Sequence, residues 1–170
     1  MVLILMLTVL LNISGLTNDS LTEKYFNQIE KCITKTFNSE KLKLTQTSFS
    51  SGELSKVTLD DKHYGFVLIA EVAACNLGGC SSTNAVAASK GNEFFDLLVV
   101  LNADFQIKKI LILDYFSDYG YEITSKNYLK KFLDKEVCSF AQKTDEVDAI
   151  SGATVSSYAL ESILASLCGA

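Results

Sequence analysis

The 170-residue sequence contains no proline and no tryptophan, and it contains a single histidine. Without proline, chain reversals must come from Gly, Asn, Asp and Ser, the other residues that favour turns. One histidine, His63, gives no Ser-His-Asp triad geometry, and no Gly-x-Ser-x-Gly motif is present. A serine hydrolase is therefore unsupported.

The chain also lacks a cluster of positive charge. Its formal net charge is -5, its pI is near 4.9, and its basic residues are scattered. A surface of this kind is unsuited to neutralising a phosphate backbone, so we expect no nucleic-acid partner. Hydrophobic residues make up 48% and charged residues 21% of the sequence, which is typical of a globular domain with one packed core.

A long apolar run is likewise missing. Residues 2–13 are almost wholly apolar, but a helix that spans a bilayer needs about 20 such residues. The run has the length of a signal-peptide core, and small residues follow it. We expect residues 1–17 to be a signal peptide or short N-terminal anchor and residues 18–170 to form the domain. Because no cation precedes the run, a buried N-terminal strand or helix stays open as an alternative.

The pattern of apolar residues predicts an α+β domain. We expect an N-terminal helix over residues 20–37, capped by Asp19 or Ser20, and a short helix near residues 126–135. A C-terminal helix should begin at or just after Thr154. Alternation and β-branched runs predict strands of a twisted antiparallel sheet, the last two forming a hairpin. These strands cover residues 43–49, 64–74, 94–101 and 106–115.

Residues 148–157 read Asp-Ala-Ile-Ser-Gly-Ala-Thr-Val-Ser-Ser, a tight turn of small residues entering a helix. Gly152 allows a bulky group to approach the backbone, and a helix N-terminus offers unpaired N–H groups that suit a phosphate. From the residues alone the same run is more simply explained as an N-cap, in which Ser151 or Thr154 satisfies the first amides.

The segment resembles the flavinylation motif Asp-x-x-Ser-Gly-Ala-Thr-x-Ser-Ser of the FMN-binding domain family. That family includes the flavin-carrying subunits of the Rnf complex and of the sodium-translocating NADH:quinone reductase. The resemblance spans roughly residues 60–167 and implies FMN linked through its phosphate to Thr154. The residues it places at the cofactor are Asp148, Ser151, Gly152, Ala153, Thr154, Ser156, Ser157 and, from a preceding stretch, Tyr121 and Glu122.

In the family a separate flavin transferase attaches FMN, using FAD and magnesium. The large complex subunits carry Glu-Thr-Pro-Gly-Leu-Gly where this chain has Gly-Tyr-Glu-Ile-Thr at residues 120–124. The chain therefore looks more like the small stand-alone exported members. We expect an extracytoplasmic electron carrier that exchanges electrons with a membrane or extracytoplasmic donor and acceptor. The alternative is a secreted, non-redox binding or structural domain in which the turn only caps a helix.

No acid-base pair with the character of a substrate site stands out, so we predict a redox carrier or subunit of an oxidoreductase system and no catalytic residue. We expect no metal site.

Cys75 and Cys80 lie in a glycine-containing loop, where a disulfide, free thiols and a redox or metal role all stay open. Cys32, Cys138 and Cys168 sit among apolar residues and are interpreted as buried small hydrophobic residues.

Overall fold

The fold is built on one antiparallel sheet. A computed structural model describes residues 20–38, 42–74, 93–118, 120–141 and 154–170. In these ranges five strands pair in the order of the sequence, each antiparallel to the next. They are β1 (Leu42–Thr47), β2 (Glu53–Leu59), β3 (Lys62–Ala73), β4 (Phe94–Asn102) and β5 (Ile107–Phe116).

The helices precede and follow the sheet. They are α1 (Leu21–Lys24), α2 (Phe26–Phe37), α3 (Lys126–Leu129), α4 (Cys138–Ala141) and α5 (Thr154–Ser166), with 3₁₀ turns at Tyr121–Thr124 and Lys130–Phe132. The expected α+β class and the β4–β5 hairpin are confirmed. No described helix has the length and apolar character needed to cross a membrane.

The two faces of the sheet carry separate cores, which explains why the middle of β4 is buried on both sides. On one face Tyr25, which precedes α2, and Ile29 and Ile33 of α2 are buried against strand residues that include Leu98 and Val100. We call this the α2 face. On the other, α5 packs with the short helices against strand residues such as Phe95 and Leu97, through Leu160, Ile163, Leu164 and Leu167. We call this the α5 face.

A bulge in β5 determines which side chains reach which face. Leu97 pairs with Ile112 but Asp96 pairs with Asp114, so Leu113 is an extra residue in β5. An extra residue reverses the alternation of side chains beyond it. Tyr115, which packs with the α5-face core, therefore lies on that face, and Asp114 joins the α2 face.

Asp114 takes part in a polar cluster that ties the N-terminal helices to the sheet. The Tyr25 hydroxyl contacts the carboxylates of both Asp96 and Asp114, and the Lys24 ammonium lies 2.8 Å from Oδ2 of Asp96 and 3.4 Å from Oδ2 of Asp114. Asp96 is fully buried. Burial and the two carboxylates raise the pKa of Tyr25, whereas the hydrogen bond from Tyr25 lowers the pKa of Asp114.

The first helix differs from the prediction in its cap and its continuity. Ser20 is the N-cap residue, but its hydroxyl donates to Oε2 of Glu53 at 2.6 Å and makes no cap bond of its own. Glu53 also accepts from the backbone N–H groups of Leu21 and Thr22, so a residue of β2 satisfies the helix start. The helix is interrupted at Tyr25 and ends at Asn38 in the left-handed conformation.

Two elements of the sheet and the helices differ from the sequence prediction. The sequence prediction missed β2, which is joined to β3 by Asp60 and Asp61, both with positive φ as a two-residue hairpin turn requires. Its apolar residues pack on both faces of the sheet, so the apolar/polar alternation that would have revealed the strand is absent. The expected helix at residues 126–135 is also shorter: α3 passes into a 3₁₀ turn, and Asp134 has a positive φ that a helix cannot accommodate.

The interpretation of Cys138 and Cys168 as unpaired buried residues was wrong, because the two form a disulfide. Their Cα atoms lie 4.7 Å apart, although 30 residues separate them in sequence. The bond joins α4 to the residues that follow α5. Cys32 is a buried free thiol. Cys75 and Cys80 lie outside the described residues, so their predicted disulfide stays a prediction.

Replacing Tyr25 with Phe should destabilise the fold. The buried Asp96 carboxylate would lose a donor, and hydrogen bonds to charged groups contribute roughly 1.5–3 kcal/mol. We expect urea unfolding at neutral pH to show a loss of that size. Tyr64→Phe, at a side chain with 37% exposure, is the control and should change stability by less than about 0.5 kcal/mol.

The same variant should respond less to acid than the wild type. The depressed pKa of Asp114 contributes stability above the pKa of an unfolded aspartate, about 3.9, and that contribution is lost as the pH falls through the folded value. The stability difference between wild type and Tyr25→Phe should therefore shrink below about pH 4. A difference that is constant down to the acid transition would contradict this role of Tyr25.

Removing the disulfide should lower stability more than any single polar contact. For a 30-residue separation, loop-closure entropy predicts a loss of about 3–4 kcal/mol in the Cys138→Ser/Cys168→Ser variant. Urea unfolding without reductant measures it. Cys32→Ala, which removes a thiol that is not cross-linked, is the comparison and should cost clearly less. Equal losses in the two variants would argue against a stabilising cross-link.

Candidate functional site

The candidate site lies where α5 begins on the α5 face of the sheet. Thr154 is the first residue of this 13-residue helix. The first amides of a helix have no partner within it and carry partial positive charge, which favours an anion at that end. The predicted residues Asp148, Ser151, Gly152 and Ala153 lie outside the described residues, as does the side chain of Thr154.

Two neighbouring serines in the first turn of α5 are fully buried, and they differ in their contacts. The hydroxyl of Ser156 lies 3.1 Å from the hydroxyl of Tyr115. The hydroxyl of Ser157 has no hydrogen-bond partner in the structure. Buried hydroxyls are nearly always hydrogen-bonded, so the Ser157 hydroxyl has the capacity to bind a further polar group.

Aromatic side chains form the wall beside these serines. The ring of Tyr115 stacks on Phe95 with centroids 5.8 Å apart and meets the edge of Tyr121 at 6.0 Å. Tyr121 is 68% exposed, so it presents a large ring to solvent. Such a surface suits a planar aromatic ligand, whose faces pack on rings with one polar edge in water.

Local backbone geometry places Tyr121 and Glu122. Gly120 has a φ of 78°, a left-handed conformation that glycine adopts without strain, and the 3₁₀ turn Tyr121–Thr124 starts directly after it. Ile123 is fully buried beneath this turn and anchors it to the core. Glu122 is exposed, and its charge is close enough to contribute to the raised pKa of Tyr115.

Two residues that sequence reasoning did not select complete the polar side of the site. The Ser117 hydroxyl donates to the carboxylate of Glu93. Burial is the main cause of the raised pKa of Tyr115. Hydrogen bonds with Ser156 and Ser117 lower this pKa, and the charges of Glu122 and Glu93 raise it further. No pattern in the sequence distinguishes Ser117 or Glu93.

The structure thus brings together part of the predicted site. Ser156 and Tyr121 both meet Tyr115, and Ser157 lies in the same helical turn. Glu122 follows Tyr121 but points to solvent. Within the described residues, no group of three or more His, Cys, Asp or Glu side chains could hold a metal ion.

These residues fit a flavin nucleotide. A helix N-terminus and an unsatisfied buried hydroxyl suit its phosphate, and the exposed tyrosine wall suits its ring system. Residues 92–167 match the family model described as the FMN-binding domain, a segment that runs from just before β4 to the end of α5. No curated protein matches the chain.

Proposed function

We propose that this chain, a flavin-binding protein whose residues 92–167 belong to the FMN-binding domain family, carries FMN covalently on Thr154 and serves as an extracytoplasmic electron carrier. The observation that carries the proposal is the position of Thr154 as the first residue of α5, in the same turn as a buried hydroxyl without a partner. FMN supplies one- and two-electron redox chemistry that side chains cannot.

Attachment is a phosphoryl transfer to a hydroxyl. The Thr154 oxygen forms a bond to the FMN phosphorus of FAD, the pyrophosphate bond breaks, AMP leaves, and the threonine proton is released. A separate flavin transferase with magnesium performs this step. The contribution of the chain is the acceptor hydroxyl and a helix N-terminus, whose partial positive charge stabilises the phosphodiester that results.

The chain positions the cofactor and leaves part of it accessible. Tyr115 and Tyr121 offer ring surfaces beside the first turn of α5, and the 68% exposure of Tyr121 keeps this region open to solvent. An electron carrier needs such access, because transfer to a partner requires close approach of the redox group. Covalent attachment prevents loss of FMN by dilution outside the cytoplasm.

The disulfide supports the extracytoplasmic location. Structural disulfides form and persist in exported proteins and are rare in reducing compartments. The disulfide between Cys138 and Cys168 links the two ends of the segment that contains residues 148–157. An exported protein would therefore have its acceptor segment enclosed by a cross-link before the transferase meets it, with its electron donor and acceptor at or outside the membrane.

Flavin attachment should depend on Thr154. We expect the wild-type chain, co-expressed in export-competent form with a flavin transferase, to give a fluorescent band on a denaturing gel and a mass increased by one FMN less water. Thr154→Ala should give a dark band and no added mass. Thr154→Ser keeps an acceptor hydroxyl and should stay fluorescent.

Two results would contradict the proposal. A dark wild-type band in the presence of an active transferase would favour a non-redox domain whose turn only caps α5. Fluorescence that survives Thr154→Ala would place the attachment elsewhere. A second flavin acceptor protein, flavinylated in the same cells, establishes that the transferase is active.

A further inference from the structure

A cavity of about 530 Å³ lies between the end of α2 and the start of β5. Its volume falls in the range of sites that bind small organic molecules. Lys109 at this cavity and Tyr115 at the candidate flavin site lie six residues apart in β5, which corresponds to roughly 20 Å along a strand. The cavity is therefore separate from that site. It is lined by Cys32, Lys35, Thr36, Phe37, Lys108 and Lys109.

A second bulge in β5 brings two consecutive lysines to this cavity. Val100 pairs with Lys109 and Leu101 pairs with Ile107, so Lys108 is an extra residue in the strand. Val100 belongs to the core of the α2 face, and its cross-strand partner Lys109 therefore lies on that face. Bulges redirect side chains and are common beside active sites.

The lysines at the cavity differ in their ionic partners. The ammonium of Lys108 lies 2.7 Å from Oδ1 of Asp134. Lys35 and Lys109 are exposed, and across the part of the chain that the structure describes no carboxylate forms an ion pair with either. The dipole of α2 favours a cation at Lys35 in its last turn, but it does not account for Lys109 on the strand. Two unpaired positive charges at one cavity, in a chain with a net charge of -5, favour an anionic ligand.

The remaining lining residues supply an aromatic wall and an uncharged base. The ring of Phe37 lies 5.7 Å from the ring of Tyr64, a contact that holds this wall in place. Cys32 is a buried free thiol, and burial raises its pKa, so it stays uncharged in the neutral range. The Thr36 hydroxyl donates to the carbonyl oxygen of Cys32 at 2.8 Å. Charge and aromatic surface thus lie side by side.

We propose that this cavity binds a small organic anion with an aromatic body. The ammonium groups of Lys35 and Lys109 bind its negative group, a carboxylate or a phosphate, and the ring of Phe37 packs on its aromatic body. Binding is independent of the proposed attachment of FMN, because none of these residues belongs to the candidate flavin site. Exposed ion pairs are weak, so each lysine should contribute about threefold to the affinity and the two together about tenfold.

Phenyl phosphate is the first probe, because it joins one phosphate to one ring. We expect its titration into the ¹⁵N-labelled protein to shift amide resonances of residues 32–37 and 107–110 until they saturate. Inorganic phosphate and phenol should each bind more weakly than phenyl phosphate, since one engages only the lysines and the other only the ring of Phe37. Added NaCl should weaken the binding of phenyl phosphate, because exposed charges are screened by salt.

Substitutions then identify the groups that bind the anion. Lys35→Gln and Lys109→Gln should each raise the dissociation constant of phenyl phosphate about threefold, and the double variant about tenfold. Phe37→Leu should also raise it. Lys31→Gln, at an exposed lysine of α2 that does not line the cavity, is the matched control and should leave it unchanged. Because these lysines are exposed, all the lysine variants should keep the urea midpoint of the wild type.

Several results would overturn the proposal. Resonance shifts that are absent, or that spread evenly over the surface, would show that the cavity is no binding site. Inorganic phosphate or phenol that binds as tightly as phenyl phosphate would contradict the class of ligand. An equal loss of affinity in Lys31→Gln and Lys109→Gln would reduce the effect to net charge. None of these results depends on Thr154, so the proposed function is tested separately.

Discussion

The bulge at Leu113 is the constraint on which both sides of the molecule depend. Because the bulge adds one residue to β5, Asp114 lies on the α2 face and contacts Tyr25, whereas Tyr115 lies on the α5 face and contacts Ser156. Without it, the alternation that follows Ile112 would exchange the two side chains. A carboxylate would then face the aromatic wall beside α5, and a tyrosine would face the N-terminal helix. One extra residue therefore places both the anchor of that helix and the support of the candidate site.

Periodicity was enough to predict the elements with strong local patterns. The β4–β5 hairpin has two apolar runs around a short polar connection, and the terminal helix has regularly spaced apolar residues. The bulge could not be read from the sequence, because both faces of this part of the sheet are covered and apolar residues occur at every position from Ile110 to Leu113. For the same reason β2, whose apolar residues pack on both faces of the sheet, lacked the alternation that identifies a strand.

Contacts between distant segments were also beyond sequence reasoning. The two cysteines of the disulfide lie 30 residues apart and come within 4.7 Å at Cα only because α4 and the end of α5 pack together. Glu53 caps a helix that begins more than thirty residues earlier. In the candidate site the motif residues were visible in sequence, whereas Ser117 and Glu93 became recognisable only when pairing of β4 with β5 brought them together.

The physical domain is larger than the segment that matches the family model. β4 lies within residues 92–167, yet it pairs along its length with β3 and buries Leu98 and Val100 under α2, both of which lie outside that segment. Cut away from these neighbours, β4 would expose an unpaired edge and an apolar face. The polar cluster around Asp96 adds a further link, because Tyr25 contacts the strand that carries Tyr115. The N-terminal helices and β1–β3 therefore belong to the same cooperative unit as the candidate flavin site, and a change at Tyr25 acts on β5 from the side opposite to α5.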